Sequence, residues 1–292
     1  MKEIVVISGK GGTGKTSVTA SFAYLGGENV VVADCDVDAA DMHLLVKPDF
    51  AKSESFFSGV VAQINPYKCN NCGICANVCR FNAIPVIDDQ YTVSNLDCEG
   101  CGYCAKVCPE RAINMIDQNV GNWYVSNTRL NNIMVHAKLG IGAENSGKLV
   151  AKVKNEAKQI ANEKNKDFII IDGSPGVGCP VVSSLSGAHF AVLVTEPSVS
   201  GIHDLKRVYE LVKKFNIKAG CIINKADINT TVTNEILAFL KSESIEHIAS
   251  LPYDENFTKA MTEGNTIVEF DHGKLKESIV KSWEKVKLLA NN

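Results

Sequence analysis

Eight of the chain's eleven cysteines fall in one stretch, Cys69 to Cys108. The stretch is an internal duplication. Residues 69–89 (CNNCGICANVCRFNAIPVIDD) and 98–118 (CEGCGYCAKVCPERAINMIDQ) align at an offset of 29, with 11 of 21 positions identical, four of them cysteines. Secreted disulfide proteins are usually short and cysteine-dense throughout. Here the rest of a 292-residue chain carries only three more cysteines, and the start, MKEIVVIS, lacks the zones of a signal peptide. A cytoplasmic location is therefore expected. In a reducing compartment such a cluster points to metal ligation.

Each half spaces its cysteines Cys-x2-Cys-x2-Cys-x3-Cys, the run seen in bacterial ferredoxins, and Pro109 follows the second half. The two x2 steps put three sulfurs on one small loop, and the fourth cysteine leaves on a short helix toward the other centre. This predicts two [4Fe–4S] clusters, one on Cys69, Cys72, Cys75 and Cys108, the other on Cys98, Cys101, Cys104 and Cys79. Gly73 and Gly102 let the backbone approach the sulfides. Structural zinc favours two cysteine pairs with a longer spacer, so the spacing disfavours zinc. Arg80 stands where the first half would carry the proline, which costs a stiffening residue and no ligand.

The strand-like run EIVVIS (3–8) leads into Gly9-Lys10-Gly11-Gly12-Thr13-Gly14-Lys15-Thr16 and then the helical stretch SVTASFAYL. This is G-x4-G-K-T between a strand and a helix, the setting in which backbone N–H groups cradle phosphates. Lys15 is expected to reach the β- and γ-phosphates. Thr16 is expected to hold Mg²⁺, with Ser17 beside it among the nucleotide-binding residues.

The second lysine, Lys10, makes the loop more specific. With it the sequence resembles the MinD/ParA superfamily of ATPases. The resemblance implies ATP as the nucleotide and an ATP-dependent homodimer, with Lys10 crossing to the partner's nucleotide. It further implies that Asp36, after the strand VVVAD (30–34), orients the attacking water. The acids at 34, 36 and 38 imitate an EF-hand start, but Ala39 and Leu45 stand where Gly and Glu are needed. Asp38 and Asp41 read as solvated or capping acids. Asp172 ends the apolar strand FIII and is placed to hold Mg²⁺, followed by a Gly/Pro loop able to sense the γ-phosphate. By resemblance Asn224 reads the adenine edge. Asn224-Lys-x-Asp227 also matches the guanine-reading arrangement of small GTPases, which keeps GTP as an alternative. The candidate catalytic residues are thus Lys10, Lys15, Asp36 and Asp172.

Strand and helix signals alternate over 3–34 and 168–289, which predicts an α/β fold with a doubly wound, mostly parallel sheet. The cysteine block interrupts it as an inserted bacterial-ferredoxin-like α+β domain. The expected organisation is 1–61 and 119–292 for the P-loop ATPase domain and 62–118 for the insertion. Residues 119–147 show few periodic signals. A helix near Lys148 places Leu149, Val153, Ala157 and Ile160 on a core face. The segments ENSGKLV, DGSPGVGCP and TEPSVSGIHDLKR resemble the MinD-type ATPases that carry such an insertion. Cys35 and Cys221 read as core residues. Cys179 lies seven residues after Asp172, the offset of a cluster ligand in the nitrogenase iron protein. A cluster shared between two Cys179 thiols is one reading and a plain loop thiol the favoured one. The last helix carries Leu275, Ile279, Trp283 and Val286 on one face. Docking on the sheet is expected over membrane-surface binding.

Lys plus Arg number 30 and Asp plus Glu 33, so nothing favours a nucleic-acid partner. No apolar run approaches a membrane span. The expected function is an ATP-switched iron–sulfur protein that transfers electrons, or delivers a cluster or metal cofactor, to an unidentified client protein. The alternatives are a ParA- or MinD-like positioning ATPase with structural or redox-sensing clusters, and a GTPase metallochaperone.

Overall fold

Four apolar runs set the architecture. Ile4–Ile7, Val30–Ala33, Ile169–Ile171 and Phe190–Val194 are buried almost completely, as strands covered on both faces must be. The computed structural model describes residues 1–140, 142–143 and 145–292. In chain order the first half carries β1 (Lys2–Ile7), α1 (Lys15–Gly26), β2 (Val30–Asp34), α2 (Met42–Val46), β3 (Lys52–Ile64), α3 (Ile74–Val78), β4 (Val86–Ile87), β5 (Gln90–Tyr91), α4 (Tyr103–Val107), β6 (Ile113–Asn127) and β7 (Ile133–Leu139). The second half carries α5 (Ser146–Glu163), β8 (Phe168–Asp172), α6 (Cys179–Leu185), β9 (Phe190–Thr195), α7 (Val199–Lys214), β10 (Lys218–Ile223), α8 (Thr230–Ser242), β11 (Glu246–Ser250), α9 (Asn256–Glu263), α10 (Ile267–Phe270) and α11 (Lys274–Asn291).

Among the described residues nine strands form one sheet in the order β11-β10-β9-β1-β8-β2-β7-β6-β3. The pairs from β11 through to β7 are all parallel. The fold is therefore α/β with a mostly parallel sheet. The register matters for the site. Val6 of β1 and Asp34 of β2 both lie opposite Asp172 of β8, so three strand ends finish level. The P-loop leaves β1 at that edge, where ligands of open α/β sheets bind.

The chain divides into two compact units. One comprises Met1–Glu54, Trp123–Lys138 and Ser146–Asn292; the other comprises Ser55–Asn122 and Leu139–Asn145. The second unit is wider than the 62–118 block because β3 and β6 run across both ends of that block. Its small core is Ala62, Cys75, Ile84, Cys104 and Ile113. The stretch 119–147, which shows few periodic signals, holds the end of β6 and all of β7. β7 places polar His136 among its buried residues, and β6 alternates irregularly, so neither gives the clean period of two that marks a half-buried strand.

In the first unit α11 buries Leu275, Ile279, Trp283 and Val286 against the main core. The Trp283 ring lies 5.2 Å from Phe22 and 5.7 Å from Phe168, centroid to centroid. Full burial of such side chains contributes about 1.5–3 kcal/mol each. The apolar stripe of α11 is thus spent on the core, in agreement with docking. Among the described residues no helix is long and apolar enough to cross a membrane.

Candidate functional site

β1 ends at Ile7, and residues 8–14 turn back so that Lys15 opens α1. Gly14 caps the helix at φ +91°, a conformation that disfavours other residues, and a side chain there would strike the amide of Asn224. Lys15 is 6% exposed. Its ammonium lies 3.0 Å from Asp172 and 3.4 Å from Asp36. Burial by itself would lower the Lys15 pKa, but Asp172, Asp36 and Asp34 outweigh it and hold the lysine above its ordinary value.

The two oxygens of Asp172 are claimed separately. Thr16 donates to Oδ2 at 2.9 Å and Thr19 to Oδ1 at 2.7 Å. Asp34 accepts the Asp36 backbone N–H through Oδ1 at 3.1 Å, while its Oδ2 has no partner. Burial and the neighbouring Asp172 push Asp34 well above the usual carboxylate range. Burial also raises Asp36, opposed by Lys15. Three acids and one ammonium leave the pocket short of positive charge, and the buried Thr13 hydroxyl is also unpartnered. Hard oxygen donors with an orphaned carboxylate oxygen fit a small divalent cation such as Mg²⁺.

Lys10 does not point into this cluster. Its ammonium pairs with Glu196 at 2.6 Å and donates to Ser198 and Ser200 at 3.1 and 2.9 Å. Glu196 also holds Lys225 at 2.8 Å. Burial pushes Glu196 upward, but hydrogen bonds from the two lysines prevail and keep its pKa below the ordinary value. Asn224, expected to read the base, donates its amide to Thr13 O at 2.9 Å and accepts the Lys225 N–H on its carbonyl oxygen at 3.0 Å, which ties it to the P-loop. Asp227 is taken by the Tyr253 N–H at 2.6 Å. The loop after β8 is tied in as well, Ser174 donating to Cys35 O at 2.8 Å and the Gly176 N–H to Ser8 O at 2.9 Å. Asp38 and Asp41 are exposed. Asp34 ends the apolar strand VVVA as Asp172 ends FIII, and Thr19 stands one helical turn after Lys15, whereas Glu196 and Lys225 carry no local signal for this site.

The second unit gathers the eight repeat cysteines around two cavities of similar size. One is lined by Cys69, Cys72, Cys75 and Cys108, the other by Cys79, Cys98, Cys101 and Cys104. Gly73 and Gly102 cap α3 and α4 at φ +74° and +73°, and Cys79 and Cys108 follow those helices. Backbone N–H groups of Asn71 and Ala112 donate to the sulfurs of Cys69 and Cys108 at 3.4 and 3.3 Å. No disulfide joins any of the eleven cysteines. Among the described residues no three His, Cys, Asp or Glu side chains converge closely enough to hold a single metal ion. Cys35 and Cys221 are buried, and Cys179 opens α6 as an exposed residue.

Known proteins resemble the chain over nearly its whole length. The CobQ/CobB/MinD/ParA nucleotide binding domain matches residues 4–267. An uncharacterized protein of Methanocaldococcus jannaschii is 33% identical over 98% of this chain and 96% of its own. The septum site-determining protein MinD of Synechocystis is 25% identical, covering 91% of this chain and 81% of that protein. Among solved structures, the septum site-determining MinD of Pyrococcus horikoshii, complexed with Mg-ADP, superposes with a TM-score of 0.61 at 21% identity, over 99% of this chain and 97% of that one. The matched residues span the P-loop and the whole parallel sheet, and the chain belongs to the CobQ/CobB/MinD/ParA nucleotide-binding family as a P-loop ATPase of the MinD/ParA type.

Proposed function

We propose that the protein is an ATP-driven dimer switch that also holds two [4Fe–4S] clusters, and that its nucleotide cycle governs electron transfer, or cluster or metal-cofactor delivery, to a client protein. The observation that supports the cluster half is the division of eight cysteines between two cavities, four to each. Soft thiolates with backbone N–H donors on their sulfurs suit such clusters, which supply one-electron chemistry when bound.

In the ATPase unit the P-loop N–H groups and Lys15 would hold the phosphates, and Thr16 and Asp172 the Mg²⁺. Asp36 would orient the attacking water. Lys15 now neutralises Asp36 and Asp172, so nucleotide phosphate and metal would redistribute those charges and free Asp36 to accept a hydrogen bond from water. That exchange links occupancy of the site to the loops after β2 and β8. A homodimer closed by ATP follows from the Lys10-bearing P-loop. Asp227, already engaged by Tyr253, gives little support to guanine reading.

A second reading is a MinD-like positioning ATPase whose clusters are structural or sense redox state. The septum site-determining names of the relatives favour it, whereas the cysteine cavities favour the first. Anaerobic purification decides whether clusters are present, with about eight iron atoms per chain expected. ATP and GTP hydrolysis are then compared with the clusters oxidised and dithionite-reduced. A severalfold change in ATPase rate together with electron or metal transfer to an acceptor supports the coupled switch; a change without transfer supports redox-sensing positioning, and an indifferent rate supports positioning with structural clusters.

A further inference from the structure

Lys10 sits on the phosphate-binding loop, yet its ammonium is turned away from the Lys15–Asp172 cluster and held by three groups of its own chain. Glu196 lies at 2.6 Å, and Ser198 and Ser200 supply hydroxyl oxygens at 3.1 and 2.9 Å. Glu196 follows β9 directly, and its second oxygen binds Lys225, which also reaches the Gly12 carbonyl at 3.4 Å. One carboxylate therefore joins the P-loop to the loop after β10. The pair is partly open to water, with side chains 26% and 19% exposed. Ion pairs of this exposure are easily exchanged for a stronger anion. A triphosphate is such an anion, more highly charged than one carboxylate.

We propose that Glu196 is a parking site for Lys10, keeping the ammonium on its own subunit until nucleotide phosphate draws it away. Glu196 then keeps its contact with Lys225, so the β10 loop stays ordered while the P-loop lysine moves. The inference rests on the ATPase reading above. Glu196 is on this account a positioning residue, acting through Lys10 on how readily nucleotide engages.

The test is steady-state ATP hydrolysis by the full chain at fixed protein concentration. Glu196→Gln keeps the shape and removes the charge. Half-saturating ATP is expected to fall about threefold to fivefold, with kcat changing by less than that. Ser200→Ala, an exposed change that does not threaten folding, is expected to shift it in the same direction by a smaller factor. In the Lys10→Ala background, where a candidate catalytic lysine is missing, ATP binding is read by titration calorimetry instead, and Glu196→Gln is expected to add no further shift. An unmoved half-saturation point in both single variants overturns the proposal. An equal shift in the Lys10→Ala background also overturns it, since the effect would then be direct repulsion of phosphate by Glu196. If the wild-type chain hydrolyses no nucleotide, the ATPase reading fails and the parking role with it; if it hydrolyses normally and the variants match it, the parking role alone fails.

Discussion

Thr19 donates its hydroxyl to Asp172 Oδ1 at 2.7 Å, the same oxygen that Lys15 approaches at 3.0 Å. Both are on α1, one turn apart, so the helix that carries the P-loop lysine also aims the Asp172 carboxylate. Thr19→Val is expected to leave that oxygen short of a donor at a position 1% exposed. The cost is about 1–3 kcal/mol, read from urea denaturation, with weaker Mg²⁺ dependence of ADP binding. Thr19→Ser keeps the donor and is expected to stay near wild type.

Lys15 compensates a buried cluster of acids before any nucleotide arrives. Lys15→Met is expected to lower stability by about 3–5 kcal/mol, because breaking a buried pair strands the carboxylates. Titration calorimetry with Mg-ADP is expected to show no binding at micromolar concentrations. A Lys15→Met protein as stable as wild type would mean the acids neutralise themselves by protonation.

Trp283 anchors α11. Trp283→Ala is expected to cost about 3–5 kcal/mol through the cavity left beside Phe22 and Phe168. With its apolar face buried, α11 is not available to lipid. ATP-dependent flotation with anionic liposomes is therefore expected to be absent, and its presence would require α11 to leave the core.

His136 is buried, stacked on Tyr124 and bonded through Nε2 to the Ser126 hydroxyl at 2.9 Å. Burial, with a smaller push from His43, lowers its pKa to about 4. The folded state thus binds this proton less readily than the unfolded state, whose histidines titrate near about 6.5. Its contribution to stability is complete above that pH and is lost as pH falls toward 4, approaching roughly 3 kcal/mol. Urea midpoints at pH 7 and pH 5 are expected to diverge more in wild type than in His136→Gln. Equal divergence would assign the acid sensitivity to other groups.

Cys179 is exposed at the start of α6. Cys179→Ser is expected to leave iron per chain unchanged in the ATP-bound protein. Loss of iron would instead establish a cluster bridging two subunits.

Much of the nucleotide site could be read locally. Gly14, Lys15 and Thr16 declare themselves because a phosphate loop needs those residues in consecutive order. Asp172 was legible as the polar end of an apolar strand. Glu196 was not, because its meaning depends on Lys10, 186 residues earlier in the chain. The contact of the Asn224 amide with Thr13 O was not legible either, because it joins residues 211 positions apart. β6 and β7 were overlooked because polar residues such as His136 lie among their buried positions.

By itself the sequence determined the alternation of buried strands and amphipathic helices, the phosphate loop, and the cysteine spacing. Each of these is set by residues within a few positions of one another, through backbone conformation and side-chain period. Only the tertiary structure decided which charges meet. The register that places Asp34 and Asp172 opposite each other on neighbouring strands crowds two carboxylates beside one ammonium and shuts out water. Desolvation and Coulomb energy depend on distance and burial rather than on order along the chain. The upward push on Asp34 and the partner of Lys10 were therefore settled by folding.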